Sequence, residues 1–188
     1  FFRGLFSNFL SSGSGDAMTP PKLSRQDLLF HPSHGLCRVD TVTKQSGNDS
    51  SELYYSLVPK VMGRMKARFV VAASDLEVSG FHKVISSRGA NKILNYLKAG
   101  DGRAEQFDQT WVLARNILSF IKGKPNPRDQ RQRQLLEHSV KGLVGELACA
   151  LQLGLKETAT LIKKNLARTS KRNAPVIAAL DRAAEGSA

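Results

Sequence analysis

The segment LFHPSHGLCRV, residues 29–39, carries the strongest structural signal in this chain. A Pro-x-His-Gly turn, from Pro32 to Gly35, joins two apolar runs. Apolar runs bounded by turn residues are typical of strands, and Gly35 supplies a backbone geometry that a β-carbon would hinder. The segment therefore predicts two short strands joined by a tight turn.

Short apolar runs continue beyond this turn. They occupy residues 28–30, 37–42, 53–58 and 67–72, separated by breakers at 47–50 and 60–63. Four or five short strands in so short a stretch suit a small, bent antiparallel sheet or barrel of the SH3/Tudor kind. Such a sheet has exposed edges, and an exposed edge can bind a partner strand.

The hydrophobic pattern changes to a helical period from His82 onward. One stripe consists of Phe107, Trp111, Ala114, Leu118 and Ile121, and the next of Leu136, Val140, Leu143, Leu147 and Leu151. Asn126-Pro127 predicts the start of the second of these helices, as an N-cap followed by proline. Further helices are predicted around Leu155–Leu166 and from Asn173 onward.

The order of these signals predicts an α+β fold with three parts. Residues 1–24 form a leader or flexible segment, since an aromatic run at 1–10 is followed by a Ser/Gly-rich stretch. Residues 25–80 form a small Tudor/SH3-like antiparallel β domain. Residues 81–188 form an all-α helical bundle. No apolar run approaches the ~20 residues that a membrane-spanning helix needs.

The charge of this chain indicates a polyanionic partner. The formal net charge is +12, and residues 82–188 hold 19 Lys and Arg against 9 Asp and Glu, whereas residues 1–81 hold 9 against 7. A basic surface attracts phosphate backbones and releases their counterions. The predicted helical half is therefore the expected nucleic-acid-binding half. Cys37 and Cys149 form no CxxC pair, which favours a reducing compartment.

Three segments resemble the CarD/CdnL family of bacterial transcription factors. The first is the Pro-x-His-Gly turn, the second is LEVSGFHKVIS at residues 76–86, and the third is LVGELA at residues 143–148. The third is similar to a valine-glycine-glutamate-leucine-alanine helix of that family. The three segments occur in the family's order, and the resemblance covers residues 28–168.

This resemblance implies a regulator without catalytic activity, cofactor or small-molecule substrate. Members bind the β subunit of bacterial RNA polymerase through the Tudor-like domain and touch promoter DNA with the helical domain, which stabilises the open complex. We accordingly expect a cytoplasmic, nucleoid-associated monomer. Arg68 matches a strand position at which many relatives keep an arginine for polymerase contact, and Lys44 and Lys66 are further candidates.

The expected DNA-binding surface is a group of basic residues around a predicted helix start. Its members are Lys122, Lys124, Arg128, Arg131, Arg133 and Lys141. Free N–H groups at a helix N-terminus favour phosphate, although the group could also be an ordinary solvated helix face. Relatives carry a wedge tryptophan that residues 99–105 lack, and Trp111 lies on an apolar stripe, which favours a core position.

Other classes of function have weaker support in the sequence. The spacing of His31, His34 and Cys37 resembles a zinc site, but no fourth ligand lies nearby, so we favour a histidine that stabilises the turn. No motif for nucleophilic, phosphate-binding or metallohydrolase chemistry is present. The main alternative is an RNA- or ribosome-binding basic protein with a small β barrel. A third is an interaction module with a membrane-active N-terminus.

Overall fold

The Pro-x-His-Gly turn forms the first hairpin in the computed structural model, which describes residues 22–46, 51–60, 67–76, 78–100, 109–123, 129–170 and 173–186. Strand β1 spans Leu28–His31 and strand β2 spans Gly35–Ser46. Gly35 has a φ of 71°, and a β-carbon there would meet nothing within 4 Å. The glycine is therefore needed for its left-handed backbone and not for space.

Three more strands complete the sheet in the described part of the chain. They are β3 at Ser51–Pro59, β4 at Phe69–Ala72 and β5 at His82–Lys83. The order across the sheet is β4-β3-β2-β1-β5, and each neighbouring pair is antiparallel. Each predicted strand overlaps an observed one. The strand β5 was not predicted, and it lies just beyond residue 80, where we expected the β domain to end.

Five helices follow the sheet in the described residues. They are α1 at Ser87–Ala99, α2 at Gln109–Lys122, α3 at Gln130–Leu151, α4 at Leu155–Ser170 and α5 at Ala174–Glu185. The predicted α+β class is thus confirmed. No helix among the described residues combines the length and the apolar character needed to cross a membrane.

The start of α3 differs from the prediction. Asp129, and not Asn126, is the N-cap, because its carboxylate accepts hydrogen bonds from the backbone N–H groups of Arg131 and Gln132 at 2.9 and 3.2 Å. Residues 124–128 lie outside the described residues. An aspartate at this position satisfies two of the N–H groups that a helix start leaves unpaired.

Buried side chains form two groups, one under the sheet and one between the helices. The sheet group includes Leu29, Cys37, Val39, Tyr55 and Leu57. The helical group includes Ile93, Trp111, Ile117, Leu143 and Ile162. Trp111 is 9% exposed and packs edge-on against Tyr96 of α1, with ring centroids 5.2 Å apart. The prediction that Trp111 is a core residue is confirmed.

Candidate partner-binding surfaces

The β4 edge of the sheet is the first candidate surface. Val70, in the middle of β4, is 66% exposed, while its neighbour Val71 is buried. Arg68 directly precedes β4, and its guanidinium donates a 2.9 Å hydrogen bond to Asp40 Oδ2. Asp40 lies where the β2–β3 register shifts, so a bulge positions this carboxylate. Arg68 remains exposed despite its ion pair.

Of the other two predicted polymerase contacts, the structure describes only Lys44, which does not join this edge. Lys44 is exposed on β2 and pairs in register with Leu53, which places it on the sheet face that carries Tyr55. Val70 pairs with Ser56 and therefore lies on the opposite face. Lys66 lies outside the described residues. The described edge thus combines Arg68 with Val70 and excludes Lys44.

The predicted DNA-binding group is divided in the structure. Lys122 ends α2 and Arg131 lies in the first turn of α3, so both flank the same loop, and both are exposed. Arg133 is also exposed, but two residues along a helix is a rotation of about 200°, so it faces away from Arg131. Lys124 and Arg128 lie outside the described residues.

Lys141 stands apart from this group. It lies eight residues after Arg133, about 12 Å farther along the helix axis. Between them on the same helical row is Glu137, which forms an ion pair with Arg182 of α5. Lys141 instead lines a cleft that Lys60 also lines. The two lysines are far apart in the sequence, so periodicity within one helix gave no signal for this juxtaposition.

The expected phosphate site at the start of α3 is also altered. Two of the N–H groups that would bind a phosphate already bind the Asp129 carboxylate. An anionic cap repels a second anion at the same place. A phosphate contact at this surface would therefore depend on the side chains of Lys122 and Arg131 and not on the helix N-terminus.

The turn that holds the sheet against the helices uses His31. Its Nδ1 accepts hydrogen bonds from the backbone N–H groups of Ser33 at 3.1 Å and His34 at 3.3 Å. Burial lowers the pKa of His31 to about 4, and the neighbouring His34 adds to this effect. The ring of His34 stacks between those of His31 and Phe69, each with centroids 4.4 Å away.

Cys37 does not share this environment, because it is fully buried in β2. Burial raises the pKa of its thiol to about 11. In the described part of the chain, no group of three or more His, Cys, Asp or Glu side chains is arranged to hold a metal ion. The histidine whose ring accepts hydrogen bonds from the turn backbone is His31.

Glu146 forms the main polar contact between the sheet and the helices. Its side chain is fully buried in α3, and both carboxylate oxygens lie 3.1 Å from His82 Nε2 on β5. Oε1 also accepts a hydrogen bond from the backbone N–H of Ile85, and Oε2 accepts one from the hydroxyl of Thr110 on α2. Sequence reasoning missed this role, although a carboxylate within the apolar run 143–148 was a usable signal, since buried acids are paired.

No protein-family model matches the chain, and no curated protein matches it.

Proposed function

We propose that this protein is an accessory factor of bacterial RNA polymerase. In this proposal a Tudor-like β domain binds the β subunit, and the helical domain contacts promoter DNA by charge and shape, which stabilises the open complex. Such a factor would act in the cytoplasm, at the nucleoid. The proposal begins from the resemblance of three sequence segments to the CarD/CdnL family.

The exposed β4 edge carries this proposal. An edge strand offers unpaired backbone groups to a partner strand. Val70 adds an exposed apolar side chain, and Arg68 adds a cation next to the strand. Asp40 holds the guanidinium without burying it, so the arginine is oriented before a partner arrives. These features fit a protein partner with an acidic group beside its own strand edge.

The helical half supports the DNA part of the proposal. Lys122 and Arg131 are exposed cations that flank the α2–α3 loop. Contacts of lysine and arginine with phosphates give affinity without base readout. Trp111 is buried in the helical core and packs on Tyr96. The proposed DNA contact therefore assigns Trp111 no wedge role.

The test is binding of the full chain to fragments of the RNA polymerase β subunit, compared with Arg68→Glu. We expect the reversal to weaken binding more than tenfold, because it places a like charge against the acidic group that arginine would meet. Lys83→Glu is the matched control, since Lys83 is exposed on β5 at the other edge of the sheet. The control variant should bind like the wild type.

Three results would contradict the proposal. One is that the wild type does not bind the β subunit at all. Another is that Lys83→Glu weakens binding as much as Arg68→Glu, which would indicate attraction by net charge only. The third is a clear preference for structured RNA over both polymerase and duplex DNA, which would favour an RNA- or ribosome-binding protein. Circular dichroism of each variant checks that the fold is retained.

A further inference from the structure

A cleft between the first hairpin and the helices is not used by the proposed function. It has a volume of about 260 Å³. The sheet side contributes Phe30, Pro32 and Leu36, and the helical side contributes Leu155 and Ala183. This size lies just below the ~300–1,000 Å³ that is usual for ligand pockets. An apolar ligand of modest size fits such a cleft.

Two lysines give the cleft its charge. Lys60, which follows β3, and Lys141, on α3, both line it, whereas no Asp or Glu does so among the described residues. Neither lysine forms an ion pair with another described residue, and both are exposed. Cations without partners beside an apolar floor attract an anionic group whose carrier is itself apolar.

The backbone fixes one of these lysines at the cleft. The N–H of Lys60 donates a 2.8 Å hydrogen bond to the carbonyl of Leu36, which lines the same cleft. Lys141 lies in the middle of α3, a long helix that packs against the four other helices. Both backbone positions are therefore set before a ligand binds, which lowers the cost of binding.

Phe30 of the first hairpin packs closely against α3 at Gly145. A β-carbon on Gly145 would come within 3.2 Å of Phe30 Cζ. The absence of a side chain at Gly145 therefore lets Phe30 lie against α3 and form part of the floor. Phe30 is only 2% exposed, so the floor is apolar and nearly closed beneath.

We propose that this cleft binds a small amphipathic anion, with an apolar body against Phe30 and Leu155 and a carboxylate between Lys60 and Lys141. A ligand of this kind contacts both the sheet and the helices, so its binding stabilises their arrangement. The site shares no residue with the β4 edge. A failure of this proposal would leave polymerase binding through Arg68 unaffected.

Alkylation of Cys149 can report ligand binding, because this residue lines the cleft and is partly exposed. Burial raises the pKa of its thiol, Glu146 adds to this rise, and the charge of Lys60 opposes it. Alkylation near pH ~9 should therefore modify Cys149 slowly in the folded protein. Cys37, the other cysteine of the chain, is fully buried and serves as an internal reference.

The probe is decanoate, kept below its micelle concentration and added to the full chain. We expect decanoate to protect Cys149 from alkylation, read by peptide mass spectrometry, and to bind in calorimetry. Decanol and decyltrimethylammonium have similar apolar bodies without the negative charge, and both should bind more weakly. Lys60→Gln and Lys141→Gln should each weaken decanoate about fivefold, as expected for the loss of one exposed ion pair. Lys83→Gln, outside the cleft, should have no effect.

Four results would overturn the proposal. Decanol that binds as tightly as decanoate would show that the lysines do not recognise charge. Decanoate that binds without protecting Cys149 would place the site elsewhere. Unchanged affinity in both lysine variants, with unfolding midpoints like that of the wild type, would show that Lys60 and Lys141 do not bind the ligand. Protection by anionic phospholipid vesicles, without protection by monomeric decanoate, would indicate a membrane surface instead.

Discussion

Replacement of Glu146 tests how strongly the sheet is held to the helices. The carboxylate is fully buried and accepts hydrogen bonds from three groups: His82 on β5, the backbone N–H of Ile85, and Thr110 on α2. Glu146→Ala removes the acceptor of all three hydrogen bonds at once. Thr110 is itself fully buried, so its hydroxyl would lose its partner away from water.

The magnitude follows from these contacts. Each buried polar group left without a partner costs about 1–3 kcal/mol, and the costs overlap because the groups share one site. Truncation to alanine also leaves a cavity at this buried position, which adds to the cost. We therefore expect Glu146→Ala to lower the free energy of unfolding by about 3–5 kcal/mol. Glu146→Gln keeps one acceptor oxygen, and we expect it to cost about 1–3 kcal/mol.

Urea unfolding at 25 °C, followed by circular dichroism, measures these losses. The matched control is Glu137→Gln on the same helix, because Glu137 forms an exposed ion pair with Arg182. Exposed pairs contribute about 0–1 kcal/mol. A loss below ~1 kcal/mol for Glu146→Ala, or one no larger than that of the control, would refute the assigned role. A double-mutant cycle with His82→Gln then measures the share of the histidine contact.

Two further predictions concern the turn and its packing. Because burial lowers the pKa of His31 to about 4, against about 6.5 in an unfolded chain, stability should fall as the pH drops through this window, since only the unfolded state takes up the proton. Because the ring is partly exposed and solvent screens its charge, we expect the free energy of unfolding to fall by about 1–2 kcal/mol. Urea unfolding at several pH values measures this loss, which should be absent in His31→Asn. Gly142→Ala should cost about 1–3 kcal/mol in the same assay, because its β-carbon would lie 2.9 Å from Leu113 Cδ1 and 3.0 Å from Pro32 Cβ. Gly89→Ala, whose β-carbon finds only ordinary contacts, should be neutral or slightly stabilising, and an equal loss in both variants would contradict the packing explanation.

The hydrophobic pattern of the sequence was sufficient to predict the longer strands and helices, because many of their residues follow one period. The strands β1 to β4 and the helices α2 to α5 follow apolar runs or stripes of this kind. The two residues of β5 are too few for any period, and they become a strand only because β1 offers them an edge. The N-cap of α3 is Asp129, three residues after the Asn126 that the Asn-Pro pattern predicted for this position.

The candidate surfaces show where sequence reasoning fails for a physical reason. Arg131 and Arg133 are neighbours in the sequence, yet the helix turns them to different sides. Lys60 and Lys141 are distant in the sequence, yet the hairpin brings them to one cleft. Proximity along the chain is therefore a poor guide to a charged surface that several elements build together.

The position of β5 affects any attempt to express the two halves of the protein separately. A gene fragment that stops at residue 80 would leave β1 with an open flank where His82 and Lys83 normally pair. An uncovered strand flank invites exchange with a second copy or aggregation. The complementary fragment would contain Glu146 with its three hydrogen-bond partners but would lack the hairpin that shields Gly145. The proposed polymerase and DNA contacts would then have to be separated by point substitution rather than by division of the chain.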